Sequence, residues 1–91
     1  MLFDTRELEP IAPRLHRVLF HFLEMADAEA RDLEGYSEIT CALERVARSL
    51  GMSRRAVVNH VRELERTKFV RRSTSPGRMN TYKVWMGIKH A

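Results

Sequence analysis

Arg55, Asn59 and Arg62 recur at i, i+4 and i+7 in a segment with helical periodicity, and Arg54 stands beside them. A guanidinium donates two parallel hydrogen bonds, and a carboxamide offers a donor and an acceptor side by side. A stripe of these types suits planar polar edges, Arg to guanine O6 and N7, Asn to adenine N6 and N7. The plain alternative is an ordinary solvated helix face. Val57, Val61 and Leu64 follow the same spacing with apolar side chains, so they mark the buried face and leave Arg54, Arg55, Val58, Asn59 and Arg62 on the others.

The elements that must position this stripe are written just before it. From Val46 to Glu65, two short apolar helical patterns flank one glycine, which is the spacing of a helix-turn-helix. Ala47 is small where two helices cross closely, Gly51 supplies the positive φ of a reversal, and Ser53 is a candidate N-cap. The first helix is expected over roughly Ala42 to Leu50, with Leu43, Val46, Ala47 and Leu50 inward. The second is expected from Arg54 to about Thr67. Ser53, Thr40 and the helix N-termini are candidate phosphate contacts, because unpaired N–H groups there attract anions.

Upstream, Pro13 suits the first position of a helix in which Leu15, Val18, Leu19, Phe22, Leu23 and Ala26 recur at helical spacing. That helix is expected to end between Ala26 and Leu33, with Gly35 as a stop. Tyr36 to Cys41 reads as a short strand with Ile39 and Cys41 on one face, or as a segment in which Thr40 caps the next helix. Downstream, Phe69 to Arg72 has strand character, Ser75-Pro76-Gly77 signals a turn, and Asn80 to Met86 reads as a second strand. The two strands would form a β-hairpin with Arg78 near its tip. Arg71, Arg72, Asn80 and Lys83 flank that hairpin; strand alternation sends Arg71 and Arg72 to opposite faces. Arg78 is the candidate for a backbone or minor-groove contact, with a merely solubilising role as the alternative.

On Val46-Ala47, Gly51-Met52-Ser53-Arg54-Arg55, Val61, Leu64-Glu65, Gly77-Arg78 and Asn80-Thr81-Tyr82-Lys83-Val84, the chain resembles the winged helix-turn-helix family. It is similar to the DNA-binding modules of prophage and plasmid replication proteins and to small bacterial regulators of the MarR group. Lys68 departs from the pattern, since such modules often place a glycine there. The resemblance implies a mainly α fold with a small β-sheet, a three-helix core plus a β-hairpin wing. The corresponding division is an N-terminal arm over 1–12, a winged helix-turn-helix DNA-binding domain over 13–86, and a tail over 87–91.

Charge points the same way without the motif. Residues 46–91 hold eleven of the sixteen Lys and Arg and two of the twelve Asp and Glu, a balance of +9, whereas residues 1–45 balance to −5. A one-sided basic cluster is the footprint of a polyanionic ligand. A membrane surface is disfavoured, because no basic amphipathic helix with an exposed aromatic or Leu face and no lipidation signal occurs. With 91 residues the chain has room for one modest core. Cys41 is the only cysteine, which excludes an intrachain disulfide and suits a reducing compartment. Asp4, Arg6, Glu7 and Glu9 interrupt any leader-like run, so a cytoplasmic location is expected.

No phosphate loop, nucleophile elbow or metal-ligand spacing is present, and neither an enzymatic role, a cofactor nor a metal is expected. His16 and His21 point in different directions on one helix, and His60 reads as a packing residue on the flank of the second motif helix. Cys41 reads as small core filler. The expected partner is double-stranded DNA, bound by a small transcriptional regulator. A phage or plasmid replication or partition factor and a winged-helix protein-interaction module are the alternatives; an effector is not legible. A symmetric homodimer is expected from apolar residues outside the motif, Leu2, Phe3, Leu8, Ile11, Phe20, Trp85, Met86 and Ile88.

Overall fold

A computed structural model of the chain describes residues 11–73 and 80–87. Pro13, whose missing N–H costs nothing at a helix start, opens a 3₁₀ turn (Pro13–Leu15) that runs directly into helix α1 (His16–Met25). Leu15, Val18, Leu19 and Phe22 are buried along its inner stripe. Gly35 is not its stop. Ala26 and Asp27 turn extended after Met25, and the Asp27 side chain accepts the Glu29 N–H to start a separate 3₁₀ turn, Ala28–Ala30. Gly35, at φ +94°, instead completes the turn into strand β1 (Tyr36–Cys41). Of the two readings of that segment, the strand holds, with Thr40 exposed on it; the N-cap of the next helix is Ala42, which makes no side-chain cap bond.

Helix α2 (Leu43–Leu50) ends at Gly51, whose φ of 65° and ψ of 32° place it in the left-handed region, with its N–H turned back onto the Ala47 and Arg48 carbonyls. The Arg17 guanidinium donates to the Leu50 carbonyl, a cation at the negative end of the helix. Ser53 then caps helix α3 (Arg54–Thr67) by accepting the Ala56 N–H at 3.1 Å. Lys68 follows at φ 69°, the one non-glycine residue with positive φ among those described. The backbone there takes the conformation a glycine would favour although the side chain is lysine. The Lys68 carbonyl accepts the Tyr36 hydroxyl at 2.5 Å, which ties β1 to the end of α3.

Strands β2 (Val70–Arg72) and β3 (Asn80–Trp85) complete an antiparallel sheet of order β1-β3-β2. The register sets Ile39 opposite Tyr82, and Val70 opposite Val84. Alternation therefore sends Ser37, Ile39, Cys41, Tyr82, Val84 and Val70 to the inner face, where each is buried, and Glu38, Lys83 and Arg71 to the outer one. The core lies between this inner face and the three helices. Phe22 of α1 and Tyr82 of β3, both 0% exposed, meet there with ring centroids 5.6 Å apart. The described architecture is thus a mixture of helices and a small three-stranded antiparallel sheet.

Two expectations about exposed apolar residues are corrected. Ile11 is 2% and Met86 6% exposed, so each belongs to its own chain's interior. Phe20 is half-buried, packed against the core, with His16 beside it at 5.6 Å between rings, and Trp85 meets the Phe69 ring edge-on at 5.4 Å. Ile11 and Met86 thus close the core of their own chain. Leu2, Phe3, Leu8 and Ile88 of the same expectation lie outside the described residues, as do the Ser75-Pro76-Gly77 turn and Arg78. Among the described residues no helix is long and apolar enough to cross a membrane.

A Cβ added at Gly51 meets nothing within 4 Å, so Gly51→Ala isolates backbone strain. We expect it to cost about 1–2 kcal/mol, whereas Lys68→Gly should gain roughly 0.5–1 kcal/mol. Urea denaturation of the two variants checks the pair, and effects of the same sign would contradict it. The Tyr82 hydroxyl is buried with no hydrogen-bond partner among the described residues, and burial raises its pKa. Tyr82→Phe should accordingly leave stability unchanged or raise it by about 1 kcal/mol, and a loss of that size would reveal a partner for the hydroxyl.

Candidate nucleic-acid interface on α3

Val57, Val61 and Leu64, at 0–1% exposure, fix the rotation of α3 about its axis. With about 100° per residue, the direction opposite this seam is shared by Arg55, Asn59, Arg62 and Arg66. All four are exposed, and none forms an ion pair among the described residues. The structure thus brings together the three residues singled out by spacing and adds a fourth. Arg66 continues their i, i+4, i+7 series at i+11, so the same periodicity carried one turn further would have found it.

The other expected members of the site are placed differently. Val58 is half-buried and packed against the core, because it lies on the shoulder of the seam. Ser53 spends its hydroxyl oxygen on the cap. Arg54 is drawn sideways to Glu44 of α2 at 3.6 Å. On the sheet, Arg71 and Arg72 do part to opposite sides. Arg71 stacks over the Tyr36 ring at 4.7 Å and pairs with Glu34 at 3.3 Å, while Arg72 lies over the Tyr82 ring at 5.9 Å and pairs with Glu65 at 3.5 Å. Lys83 reaches Asp32 at 3.8 Å, and Asn80 is placed only as the first residue of β3.

Three of these pairs, Glu44–Arg54, Glu34–Arg71 and Asp32–Lys83, join the acidic first half to the basic second half. Folding therefore cancels much of the segregation along the chain, and the uncancelled positive charge on α3 is the outward stripe. Exposed ion pairs hold little energy, so they shape the local field more than the stability.

Beside the stripe, the flank of α3 forms an open cleft of about 490 Å³ with Arg14 of the first 3₁₀ turn. His60 lines it, half-buried, as its position on the helix flank implied. Arg14 grips Glu63 there with both terminal nitrogens, at 2.8 and 2.6 Å. That hydrogen bond, ahead of the fields of Arg14, His60 and Arg66, holds the Glu63 carboxyl below the usual carboxylate range. On the far side of α2, Cys41 is buried in the core, which pushes its thiol pKa up and makes it a poor nucleophile. Among the described residues no three His, Cys, Asp or Glu side chains converge in a way that would hold a metal ion.

Comparison of the chain with family models, with curated proteins and with solved structures finds no match in any of the three.

The turn that supports Lys83 and Arg71 has its own pH dependence. Asp32 accepts the N–H groups of Tyr36 and Glu34, both at 2.9 Å, and the Tyr36 bond first of all lowers its pKa. A depressed carboxylate contributes stability above its unfolded pKa of about 3.9, and that contribution disappears as pH falls through the lower folded value. Asp32→Ala should therefore be less stable than the parent at pH 7, with the gap narrowing below about pH 4. Denaturation midpoints measured across that range provide the check; a gap that is constant with pH would remove the carboxylate from the effect.

Proposed function

We propose that the chain is a sequence-specific double-stranded DNA-binding module of winged helix-turn-helix type, with α3 in the major groove. The observation that carries this reading is the stripe of Arg55, Asn59, Arg62 and Arg66, exposed opposite the buried seam and without carboxylate partners among the described residues. A 14-residue helix is about 21 Å long and fits a groove about 12 Å wide, so the stripe faces several successive base pairs. The order of helix, strand, two helices and two paired strands supports the winged helix-turn-helix type. The Gly51 reversal and the Ser53 cap support α2 as the helix that buttresses α3. Regulation of transcription is the role we favour; action at a replication origin or a partition site would use the same interface.

Selection of a preferred duplex from a random pool, followed by binding measured against salt, tests the reading. Arg55→Ala, Asn59→Ala and Arg62→Ala should each cost about 1–3 kcal/mol on the selected site and relax the preference at particular bases. Arg66→Ala, nearest the end of α3, should weaken all duplexes alike and reduce the log–log salt slope by about 1. Failure to select any duplex, or binding indifferent to salt, would refute the proposal and leave a protein-interaction surface as the use of the stripe.

A further inference from the structure

Glu63 is out of place on a surface built to meet DNA. It projects beside the stripe, where a carboxylate repels phosphate, and yet it is the residue Arg14 holds with both prongs, across 49 positions of sequence. Besides Ala56, the cleft around it is lined by polar side chains: Arg14, Arg62 and Arg66, the carboxamide of Asn59 and the imidazole of His60. Three guanidiniums thus face one carboxylate. The Nδ1 atom of His60 is buried and has no hydrogen-bond partner among the described residues. Asn59, Glu63 and Arg66, spaced by four and three, lie one above another on α3, while Arg14 closes the cleft from a different element.

We propose that this cleft is a phosphate-binding seat, occupied in the free protein by the Glu63 carboxylate, which an incoming phosphate displaces from Arg14. A guanidinium fork accepts carboxylate and phosphate oxygens in the same two-pronged geometry, so the exchange needs no rearrangement of Arg14. The non-bridging oxygens of a tetrahedral phosphate keep lone pairs outside the plane of the Arg14 fork, which leaves acceptors for Arg66, Asn59 and His60, whereas the lone pairs of the planar Glu63 carboxylate lie in that plane. Arg14 and Glu63 are 58% and 36% exposed, so the pair opens to an incoming ligand without unpacking the core. The low pKa of Glu63 agrees with a carboxylate that stays charged, and hence in competition, at neutral pH.

For the source of the phosphate, the inference rests on the DNA reading: Asn59 belongs to both stripe and cleft, so a duplex on the stripe runs its backbone along the cleft. A free phosphorylated ligand has the same chemistry, and the experiment separates the two. Seated phosphate makes the cleft a clamp that sets the register of α3 in the groove, with Glu63 as an internal brake on affinity.

The test combines Glu63→Gln, Arg14→Ala and the double variant with two probes, the selected duplex and inorganic phosphate. Glu63→Gln keeps the shape and removes the brake, so duplex affinity should rise about three- to tenfold at low salt and the salt slope should steepen by about 1. Arg14→Ala in that background should abolish both gains. In parallel, inorganic phosphate titrated into the unmodified protein and into Glu63→Gln should shift the His60 imidazole resonances saturably, more tightly in the variant. Unmoved His60 resonances in both proteins, with duplex affinity unchanged by Glu63→Gln, would overturn the seat and leave an ordinary surface ion pair. His60 shifts with phosphate, accompanied by no effect of any stripe or cleft variant on duplex binding, would keep the seat, assign it to a free phosphorylated ligand, and overturn the DNA reading alone.

Discussion

The rotation of α3 about its own axis is the constraint on which the surface depends, and three side chains impose it. Val57, Val61 and Leu64 are fully enclosed by α1, α2 and the inner face of the sheet. Advancing the helix by one residue would swing its faces by about 100° and drive guanidinium or carboxylate groups into an apolar interior, at a cost far above what any surface contact returns. The direction of Arg55, Asn59, Arg62 and Arg66 is therefore a by-product of packing behind them. Gly51 and Ser53 add the angle of approach: one lets the chain reverse, the other accepts the Ala56 N–H in the first turn of α3.

What was legible in the sequence was local. The bounds of α3, the left-handed turn at Gly51 and the cap at Ser53 were all readable because each depends on residues within one or two helical turns. Lys68 is instructive: the backbone adopts positive φ there although the residue is not glycine. The local demand persists without the residue that meets it most easily. The end of α1 was misjudged because an alanine-rich stretch without Gly or Pro gives no stop signal, whereas the actual break comes from the Asp27 side chain starting a turn of its own.

What escaped was tertiary. Ile11 and Met86 follow no period that marks them as interior, since one lies ahead of the first turn and the other beyond the last strand; their burial depends on what the rest of the chain brings over them. The Arg14–Glu63 grip joins residues with no sequence relation. The charge segregation along the chain is real, yet it overstates the field of the folded molecule, because carboxylates from the first half return to neutralise Arg54, Arg71 and Lys83. For the site itself, the stripe was legible in the helical period, Arg66 included, whereas the neighbouring cleft depends on Arg14 from another element and was not.

The strand order carries a consequence for the chain as it is made. Among the described residues, both β1 and β2 find their strand neighbour in β3 alone, and the register joins Tyr36 to Trp85. Before β3 has left the ribosome, Ile39, Cys41 and Val70 have no neighbouring strand and the Phe22 ring lacks Tyr82. Until β3 pairs with them, β1 and β2 are unpaired strands, the state in which a chain is most open to capture by another chain or a chaperone. One six-residue strand in the central position supplies the neighbour that each of the other two needs, so neither pairing forms before β3 is in place.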